Sequence, residues 1–266
     1  MAFPFPLRRT AVDASSGAAP GPLGSGTDGA PGTPGADPRL DTDDPRRLRD
    51  EFERLSVYVD GAWDHNAWYH PWLLAHVPRP CRLALDVGSG GGRFTRELAR
   101  RCDHVFGLDI SPATVAAAER LTARRLQNVE FVTGDVREMD LPPNTFDCIV
   151  SIACLHHLDL DAAYRRLAQA LRPSGILLVV DLVRSKGLKD RGRDLVAAPV
   201  AAFLNLFHTG HLRRPHEQRE AWREHGENDA QQLTTRQVKA IAARALPGAQ
   251  VDRRLLWRYS LIWQKP

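Results

Sequence analysis

The sequence predicts an α/β protein with a doubly wound sheet of seven strands, mostly parallel with one antiparallel strand near the C-terminus, and helices on both faces. Three observations predict it. Short apolar segments alternate with helix-length segments between residues 83 and 181, which is typical of strands joined by crossover helices. A Gly-rich turn follows the first apolar segment. The last two strand-like segments are almost contiguous, so a tight hairpin must make one of them antiparallel.

The elements are predicted in chain order from these patterns. Ser111 is a good N-cap, and Pro112 suits the first position of the helix that follows. Leu246-Pro247-Gly248 ends the last helix. The predicted helices span 66–76, 92–101, 112–126, 161–171, 195–207 and 234–245, and the predicted strands span 83–87, 105–108, 129–133, 146–152, 176–180, 249–256 and 256–264.

Composition divides the chain into a tail and one domain. Residues 1–47 are rich in Gly, Pro, Ala and Ser, and such a segment buries too little apolar surface to offset its ordering entropy, so a disordered tail is expected. Residues 48–266 form the predicted domain, in which 48–80 is an N-terminal cap region with a helix. Residues 184–230 interrupt the strand–helix alternation and are an insertion that could serve as a substrate lid.

The net charge and the cysteine spacing argue against several classes of function. The net charge is only +4 over 266 residues, and the arginines are interleaved with acids, so nucleic-acid binding is not indicated. The four cysteines lack C-x-x-C spacing, which argues against a zinc knuckle or a redox pair. With no apolar segment long enough for a bilayer and no signal-peptide pattern, we expect a cytoplasmic protein that has no membrane partner and no metal site.

The glycine loop D-V-G-S-G-G-G-R, from Asp86 to Arg93, is the main functional signal. Its glycines would let a ligand approach the backbone beside a helix N-terminus. Arg93 occupies the position of the third glycine of the dinucleotide fingerprint G-x-G-x-x-G. The loop has no lysine, and none precedes Lys186, so a P-loop is excluded.

Three acidic residues at the ends of predicted strands indicate which chemical groups the ligand carries. Asp86 precedes the first glycine, where a carboxylate would repel a pyrophosphate and suit an ammonium. Asp109 follows Gly88 by 21 residues, where doubly wound folds place an acid on ribose hydroxyls. Asp135 ends the third strand and could accept a hydrogen bond from an adenine amino group. Individually, the glycines could form an ordinary turn and the acids could be helix N-caps.

Six segments in this order resemble the class I S-adenosylmethionine-dependent methyltransferases, in particular the branch with quinone-biosynthesis and small-molecule enzymes. The segments are L-D-V-G-S-G-G-G, G-L-D-I-S, V-E-F-V-T-G-D-V, N-T-F-D-C-I-V-S, L-H-H-L and L-R-P-S-G-I-L-L-V-V-D. The resemblance implies a Rossmann-like fold and S-adenosyl-L-methionine as cofactor. It assigns cofactor binding to Asp86, Gly88, Gly90, Gly92, Asp109, Ile110, Asp135, Val136, Ser151 and Tyr69.

Histidines are the candidates for the chemistry. His156 and His157 follow the fourth strand, where the implied fold brings a loop beside the transferred methyl group, and one of them could act as a base. Alternatively, one hydrogen-bonds the backbone and the other packs. His65 and His70, upstream of the sheet, are candidates for substrate contacts, whereas the alternative is that the aromatic residues there only attach the cap helix to the sheet.

Three function classes remain open from sequence alone. A methyltransferase that acts on an O, N or C nucleophile of a small molecule is the first. A methyltransferase that acts on RNA or protein is the second, although the fourth strand is followed by Ser151-Ile152-Ala153-Cys154 instead of an Asn-Pro-Pro-type motif. A nucleotide-dependent oxidoreductase or a non-catalytic nucleotide-binding module is the third, and Arg93 argues against a dehydrogenase.

Overall fold

The computed structural model describes residues 8–9, 65–123, 126–185, 188–209 and 233–266. The strands are β1 (Arg8–Arg9), β2 (Leu83–Val87), β3 (His104–Asp109), β4 (Val129–Thr133), β5 (Met139–Asp140), β6 (Phe146–Ile152), β7 (Leu171–Leu182), β8 (Gln250–Arg253) and β9 (Arg258–Gln264). The helices are α1 (His70–His76), α2 (Arg93–Leu98), α3 (Pro112–Thr122), α4 (Leu160–Ala170), α5 (Leu188–Thr209) and α6 (Thr235–Ala245), with single 3-10 turns at Ala67–Tyr69 and Leu155–His157.

Seven of the strands form one sheet in the order β4-β3-β2-β6-β7-β9-β8. Strand β9 is antiparallel to both of its neighbours, and the pairs among β4, β3, β2, β6 and β7 are parallel. The predicted fold class is therefore confirmed. The chain winds outward from β2 in one direction and from β6 in the other, so the switch point of the sheet lies between these two strands.

The sheet separates two apolar cores, because successive side chains of a strand point to opposite faces. Leu85 and Val87 of β2 belong to the core that α4 and α6 cover, with Tyr164 and Val238 among its members. Ala84 of the same strand belongs to the other core, which includes Leu73 of α1 and Phe94 and Leu98 of α2. The predicted helices on both faces are confirmed by this arrangement.

Local signals explain several element boundaries. The Ser111 side chain accepts a hydrogen bond from the Thr114 backbone N–H and so caps α3, as predicted. Thr234 and Gln237 form a reciprocal capping box that begins α6. Strand β7 is longer than the predicted strand 176–180, because it begins at Leu171 and ends at Leu182.

Two features were not foreseen from sequence patterns. Arg8–Arg9 lies inside the predicted tail, yet it pairs antiparallel with Met139–Asp140. The Cys81 and Cys102 sulfurs lie 2.6 Å apart although 21 residues separate them, so the C-x-x-C criterion could not detect the pair. The other predictions for the tail, for residues 48–64 of the cap and for residues 186–187 and 210–230 of the insertion fall outside the described residues.

The described residues contain neither a membrane-spanning helix nor a cluster of metal-ligating side chains. None of their helices combines the length and the apolar character that crossing a bilayer requires. Nor do they contain a group of three or more His, Cys, Asp or Glu side chains arranged to hold a metal ion.

Candidate active site

The candidate site lies at the switch point, beside the carboxyl ends of β2 and β6. The Ser151 hydroxyl donates to the Val87 carbonyl oxygen over 3.0 Å and joins the two strand ends. The N–H groups of Gly88 and Ser89 both donate to the Leu108 carbonyl, which attaches the glycine loop to β3 as well. This location is where ligands bind in doubly wound sheets.

The three glycines that were predicted to bind the cofactor have positive φ angles, but they differ in what surrounds them. A Cβ at Gly88 would meet the Cys154 side chain at 2.5 Å, and a Cβ at Gly92 would meet the Phe131 ring at 2.4 Å. At Gly90, with φ of +53°, a Cβ would meet no atom within 4 Å. Open space beside a loop that exposes its backbone is the cradle that a ligand requires.

Asp109 lies at the end of β3 and stabilises this loop directly. Its Oδ2 accepts from the Gly90 N–H at 2.8 Å, and its Oδ1 accepts from the Ser111 N–H at 3.0 Å. Burial raises the pKa of the Asp109 carboxyl, although its backbone hydrogen bonds oppose this rise. A buried carboxylate that already meets the loop backbone suits a ligand that offers two further donors, such as a ribose diol.

Asp86 lies under the glycine loop and is 2% exposed. The Thr95 hydroxyl of α2 donates to its Oδ2 over 2.6 Å. Burial raises the pKa of Asp86 to about 6, against the opposing effects of the Thr95 hydrogen bond and of His70. An ammonium group that binds nearby would favour the charged carboxylate, and the site would gain back the energy that burial of this charge costs.

Asp135 and Val136 follow β4, and both are buried. Both oxygens of Asp135 accept hydrogen bonds from the Arg137 guanidinium, and the shortest is 2.7 Å. An adenine amino group would therefore share this carboxylate with Arg137. Val136 packs in the core that α4 and α6 cover, and its backbone carbonyl accepts a hydrogen bond from the Arg166 guanidinium at 2.6 Å. Ile110, one residue beyond Asp109, is half-buried.

The cap contacts the rest of the domain through side chains that the sequence assigned to ligands. The Tyr69 hydroxyl donates to the Leu255 carbonyl in the β8–β9 turn at 2.6 Å, and burial raises its pKa to about 12. His70 lies 3.1 Å from Glu97 of α2 and contacts the edge of the Phe94 ring. These contacts favour attachment of the cap to the domain, which was the alternative interpretation. His65 is half-buried where the described cap begins.

His156 and His157 follow β6, as predicted, and their ring centroids lie 3.9 Å apart. The Nδ1 atom of His156 lies 2.6 Å from Oδ1 of Asp181 at the end of β7. The loop begins beside the glycine loop, because Cys154 packs against Gly88. The loop that carries His156 therefore leaves β6 beside the glycine loop.

Four residues of the site were missed by the sequence analysis. Thr95 and Asp181 hold Asp86 and His156, Cys154 fills the space that Gly88 leaves free, and the Arg96 guanidinium donates to the Gly91 carbonyl at 2.8 Å. Only Asp181 carried a signal, namely an acid at the end of an apolar strand. The roles of the other three depend on tertiary contacts.

Comparison with known proteins agrees with this geometry. The family model described as a methyltransferase domain matches residues 85–179. An uncharacterized methyltransferase of Mycobacterium tuberculosis is 28% identical over 214 residues, which cover 78% of this chain and all of that protein. The ubiquinone/menaquinone biosynthesis C-methyltransferase of Vibrio cholerae is 32% identical over 123 residues, 44% of this chain and 47% of that protein. The chain thus spans about half of the Vibrio relative.

One solved structure extends the comparison to the fold. The phosphoethanolamine N-methyltransferase 2 of Haemonchus contortus, in complex with phosphomonomethylethanolamine and S-adenosylhomocysteine, superimposes with a TM-score of 0.55. It is 20% identical, and the match covers 77% of this chain and 46% of that one. The motifs, the sheet order and these matches agree: residues 85–179 match a methyltransferase domain, and the chain is similar to the class I S-adenosylmethionine-dependent methyltransferases.

Proposed function

We propose that this protein transfers the methyl group of S-adenosyl-L-methionine to an O, N or C nucleophile of a small molecule by in-line displacement. One observation carries the proposal: two buried carboxylates, Asp86 and Asp109, flank a glycine loop that is open at Gly90. This arrangement suits a ligand with a positive end and a ribose, and the loop has no lysine for a phosphate.

The residues present fit this cofactor, each through its own chemistry. Asp86 would receive the ammonium end, directly or through a water molecule, and Asp109 would accept from the ribose hydroxyls. Ile110 and Val136 would pack against the adenine, while Asp135 would accept from its amino group. The backbone of Gly88, Gly90, Gly92 and Ser151 would line the methionine part. The cofactor supplies an activated methyl group and a neutral leaving group, so the protein must align the acceptor and exclude water.

The cap and the insertion are the proposed walls of the acceptor pocket. Within the cap, His65 remains a candidate for substrate contact. The described contacts of Tyr69 and His70 with Leu255 and Glu97 favour a role in holding the cap closed over the cofactor. The small-molecule class is supported by the quinone-pathway relative and by the Haemonchus enzyme, whose structure contains phosphomonomethylethanolamine.

Transfer of a labelled methyl group into a bacterial cell extract tests the proposal. The extract is separated by size after incubation with the protein and with S-adenosyl-L-methionine labelled on its methyl group. We expect label in the low-molecular-weight fraction with the wild-type protein and much less with Asp109→Ala. Label that appears in RNA or protein would overturn the small-molecule class, and its absence from every fraction would count against methyl transfer.

A further inference from the structure

We propose that Cys81 and Cys102 form a redox modification site, at which a reversible disulfide closes a covalent ring around the segment that carries the glycine loop. The oxidant is a small-molecule disulfide, and a small-molecule thiol reopens the ring. The two cysteines lie at the amino ends of β2 and β3, whereas the candidate active site lies at the carboxyl ends. The inference therefore goes beyond methyl transfer and does not depend on it.

The backbone already holds the two cysteines opposite each other. Each lies two residues before its strand, and the first residues of these strands, Leu83 and His104, are paired in the parallel register of β2 and β3. The Asp103 N–H continues this pairing, because it donates to the Cys81 carbonyl at 2.9 Å. Since neighbouring strands lie about 5 Å apart, Cys81 and Cys102 are at a separation that a disulfide can bridge without a backbone movement.

The side chains of both cysteines point into the same apolar core. They are free thiols with relative exposures of 3% and 5%, and both belong to the core that α1 and α2 cover. Their sulfur atoms are in contact, 2.6 Å apart. Asn128 fixes the turn that carries Cys102, because its amide donates to the Cys102 carbonyl at 3.1 Å and to the Ala99 carbonyl at 2.8 Å. Oxidation of this pair therefore requires little rearrangement.

The other two cysteines are too far away to replace either partner. Cys148 lies on β6 and is paired with a residue of β2 three positions beyond Cys81, which corresponds to about 10 Å along the strand. Cys154 packs against Gly88, beyond the other end of β2. A disulfide requires Cα atoms less than about 7 Å apart. All four cysteines lie in the described part of the chain, so the fold permits one bridge among them.

The ring that this bond closes contains much of the candidate cofactor site. Residues 82–101 include β2, the glycine loop and α2, and with them Asp86 and the Thr95 hydroxyl that donates to it. A disulfide stabilises a protein mainly by limiting the conformations of the unfolded chain. Because the two thiols are already in contact, the bond should oppose unfolding of this segment without changing its folded geometry.

The residues around the pair determine how it reacts. Arg82, Arg101 and Asp103 are exposed, so a small local opening gives a reagent access to the sulfur atoms. The hydrogen bond with Cys102 and burial raise the pKa of the Cys81 thiol. Because the thiolate is the nucleophile in thiol–disulfide exchange, we expect Cys102 to react first.

The exchange balances in two steps. The Cys102 thiolate attacks one sulfur of the small-molecule disulfide, a mixed disulfide forms, and one thiol leaves with the electron pair of the broken bond. The Cys81 sulfur loses its proton to water and then displaces the second thiol from Cys102. The two cysteines are oxidised by two electrons in total. The small-molecule disulfide is reduced to two thiols, which take up the two protons.

Treatment of the full-length protein with oxidised glutathione, followed by dithiothreitol, tests the site. We expect the intact mass to fall by two hydrogen atoms, peptide mapping to link Cys81 to Cys102, and dithiothreitol to restore the two thiols. The oxidised form should melt about 5–15 °C higher, which is the usual effect of a disulfide in a domain of this size. Mass spectrometry and thermal denaturation measure both effects.

Cys102→Ala removes one partner, and Cys148→Ala is the matched control, because Cys148 is a buried cysteine of the same core. In Cys102→Ala, oxidised glutathione should produce no internal crosslink and no rise in melting temperature. In Cys148→Ala, the crosslink and the rise should both persist relative to the same variant in dithiothreitol.

Three results would overturn the inference: no internal crosslink in the oxidised wild-type protein, a crosslink that involves Cys148 or Cys154, or a crosslink that does not raise the melting temperature. The wild-type protein decides all three, even if neither variant folds. Failure of the proposed function would differ, because the crosslink would then form in a protein that does not bind S-adenosylhomocysteine.

Discussion

The two edges of the sheet use the same side chain for different purposes. At the amino edge, buried Asp147 accepts from the backbone N–H groups of Arg82 and Leu83, both at 2.8 Å, and forms an ion pair with Arg172. At the carboxyl edge, buried Asp109 also accepts two backbone N–H groups, but no basic side chain of the described residues forms an ion pair with it. At the amino ends of the strands, the charge of Asp147 is balanced by Arg172. At the carboxyl ends, the charge of Asp109 is left for a ligand to balance.

The largest effect is expected from Asp147→Ala. Removing one partner of a buried ion pair leaves Arg172 and two backbone N–H groups without their acceptor, which should lower the free energy of unfolding by about 3–5 kcal/mol. Urea denaturation measures this loss. The affinity of the remaining folded protein for S-adenosylhomocysteine should be unchanged. A loss below about 1 kcal/mol would mean that the amino edge is not a structural site.

Asp86→Asn should stabilise the protein at alkaline pH and lower its affinity for S-adenosylhomocysteine. The pKa of Asp86 is raised from 3.8 to about 6, so the folded state holds a proton that the unfolded state releases between these values, and wild-type stability falls as pH rises through this window. Above it, the amide should gain up to about 3 kcal/mol over the wild type. At pH 4 and below, the difference should vanish. Urea denaturation at pH 4 and pH 8 compares the two proteins.

The same titration predicts how cofactor binding depends on pH in the wild type. An ammonium group favours the ionised form of Asp86, so the affinity for S-adenosylhomocysteine should decrease as pH falls through about 6. Calorimetry at pH 5 and pH 7.5 measures this change, with Asp86→Asn as the control that should have lost most of it. An affinity that is equal at both pH values would remove Asp86 from the ammonium site.

Asp109→Ala should affect binding more than stability, which is the reverse of Asp147→Ala. Hydrogen bonds to a charged group contribute about 1.5–3 kcal/mol, so the affinity for S-adenosylhomocysteine should decrease by roughly 10-fold to 100-fold. Calorimetry on both variants provides the comparison. If Asp109→Ala binds as tightly as the wild type, the ribose site has been assigned to the wrong residue.

The smallest effect on stability is expected from Gly90→Ala. The positive φ of Gly90 should cost an alanine about 1–2 kcal/mol, but the new Cβ meets open space. Gly92→Ala should lower the free energy of unfolding by about 1–3 kcal/mol more than Gly90→Ala does, because its Cβ meets the Phe131 ring at 2.4 Å. Gly90→Ala should nevertheless weaken S-adenosylhomocysteine binding, since the methyl group projects into the cradle. Thermal denaturation and calorimetry of both variants separate these effects.

The parts of the molecule that local sequence patterns encode could be predicted from the sequence. The strand–helix alternation predicted the parallel sheet, and the contiguous final strands predicted its antiparallel member. The spacing of Asp109 from Gly88 located a carboxylate that proved to contact the glycine loop. Partners joined only by tertiary structure were out of reach: Asp181 with His156, Thr95 with Asp86, and the hydroxyl of Tyr69 with the β8–β9 turn. Each of these pairs joins elements whose proximity no local pattern records.

The central claim is that the carboxyl edge of this sheet binds a sulfonium nucleoside and not a dinucleotide. Isothermal titration of the wild-type protein with S-adenosylhomocysteine and, separately, with NAD tests it most directly. Our account predicts saturable binding of S-adenosylhomocysteine and no measurable binding of NAD, because Asp86 would repel a pyrophosphate. Binding of NAD in the absence of any binding of S-adenosylhomocysteine would contradict it.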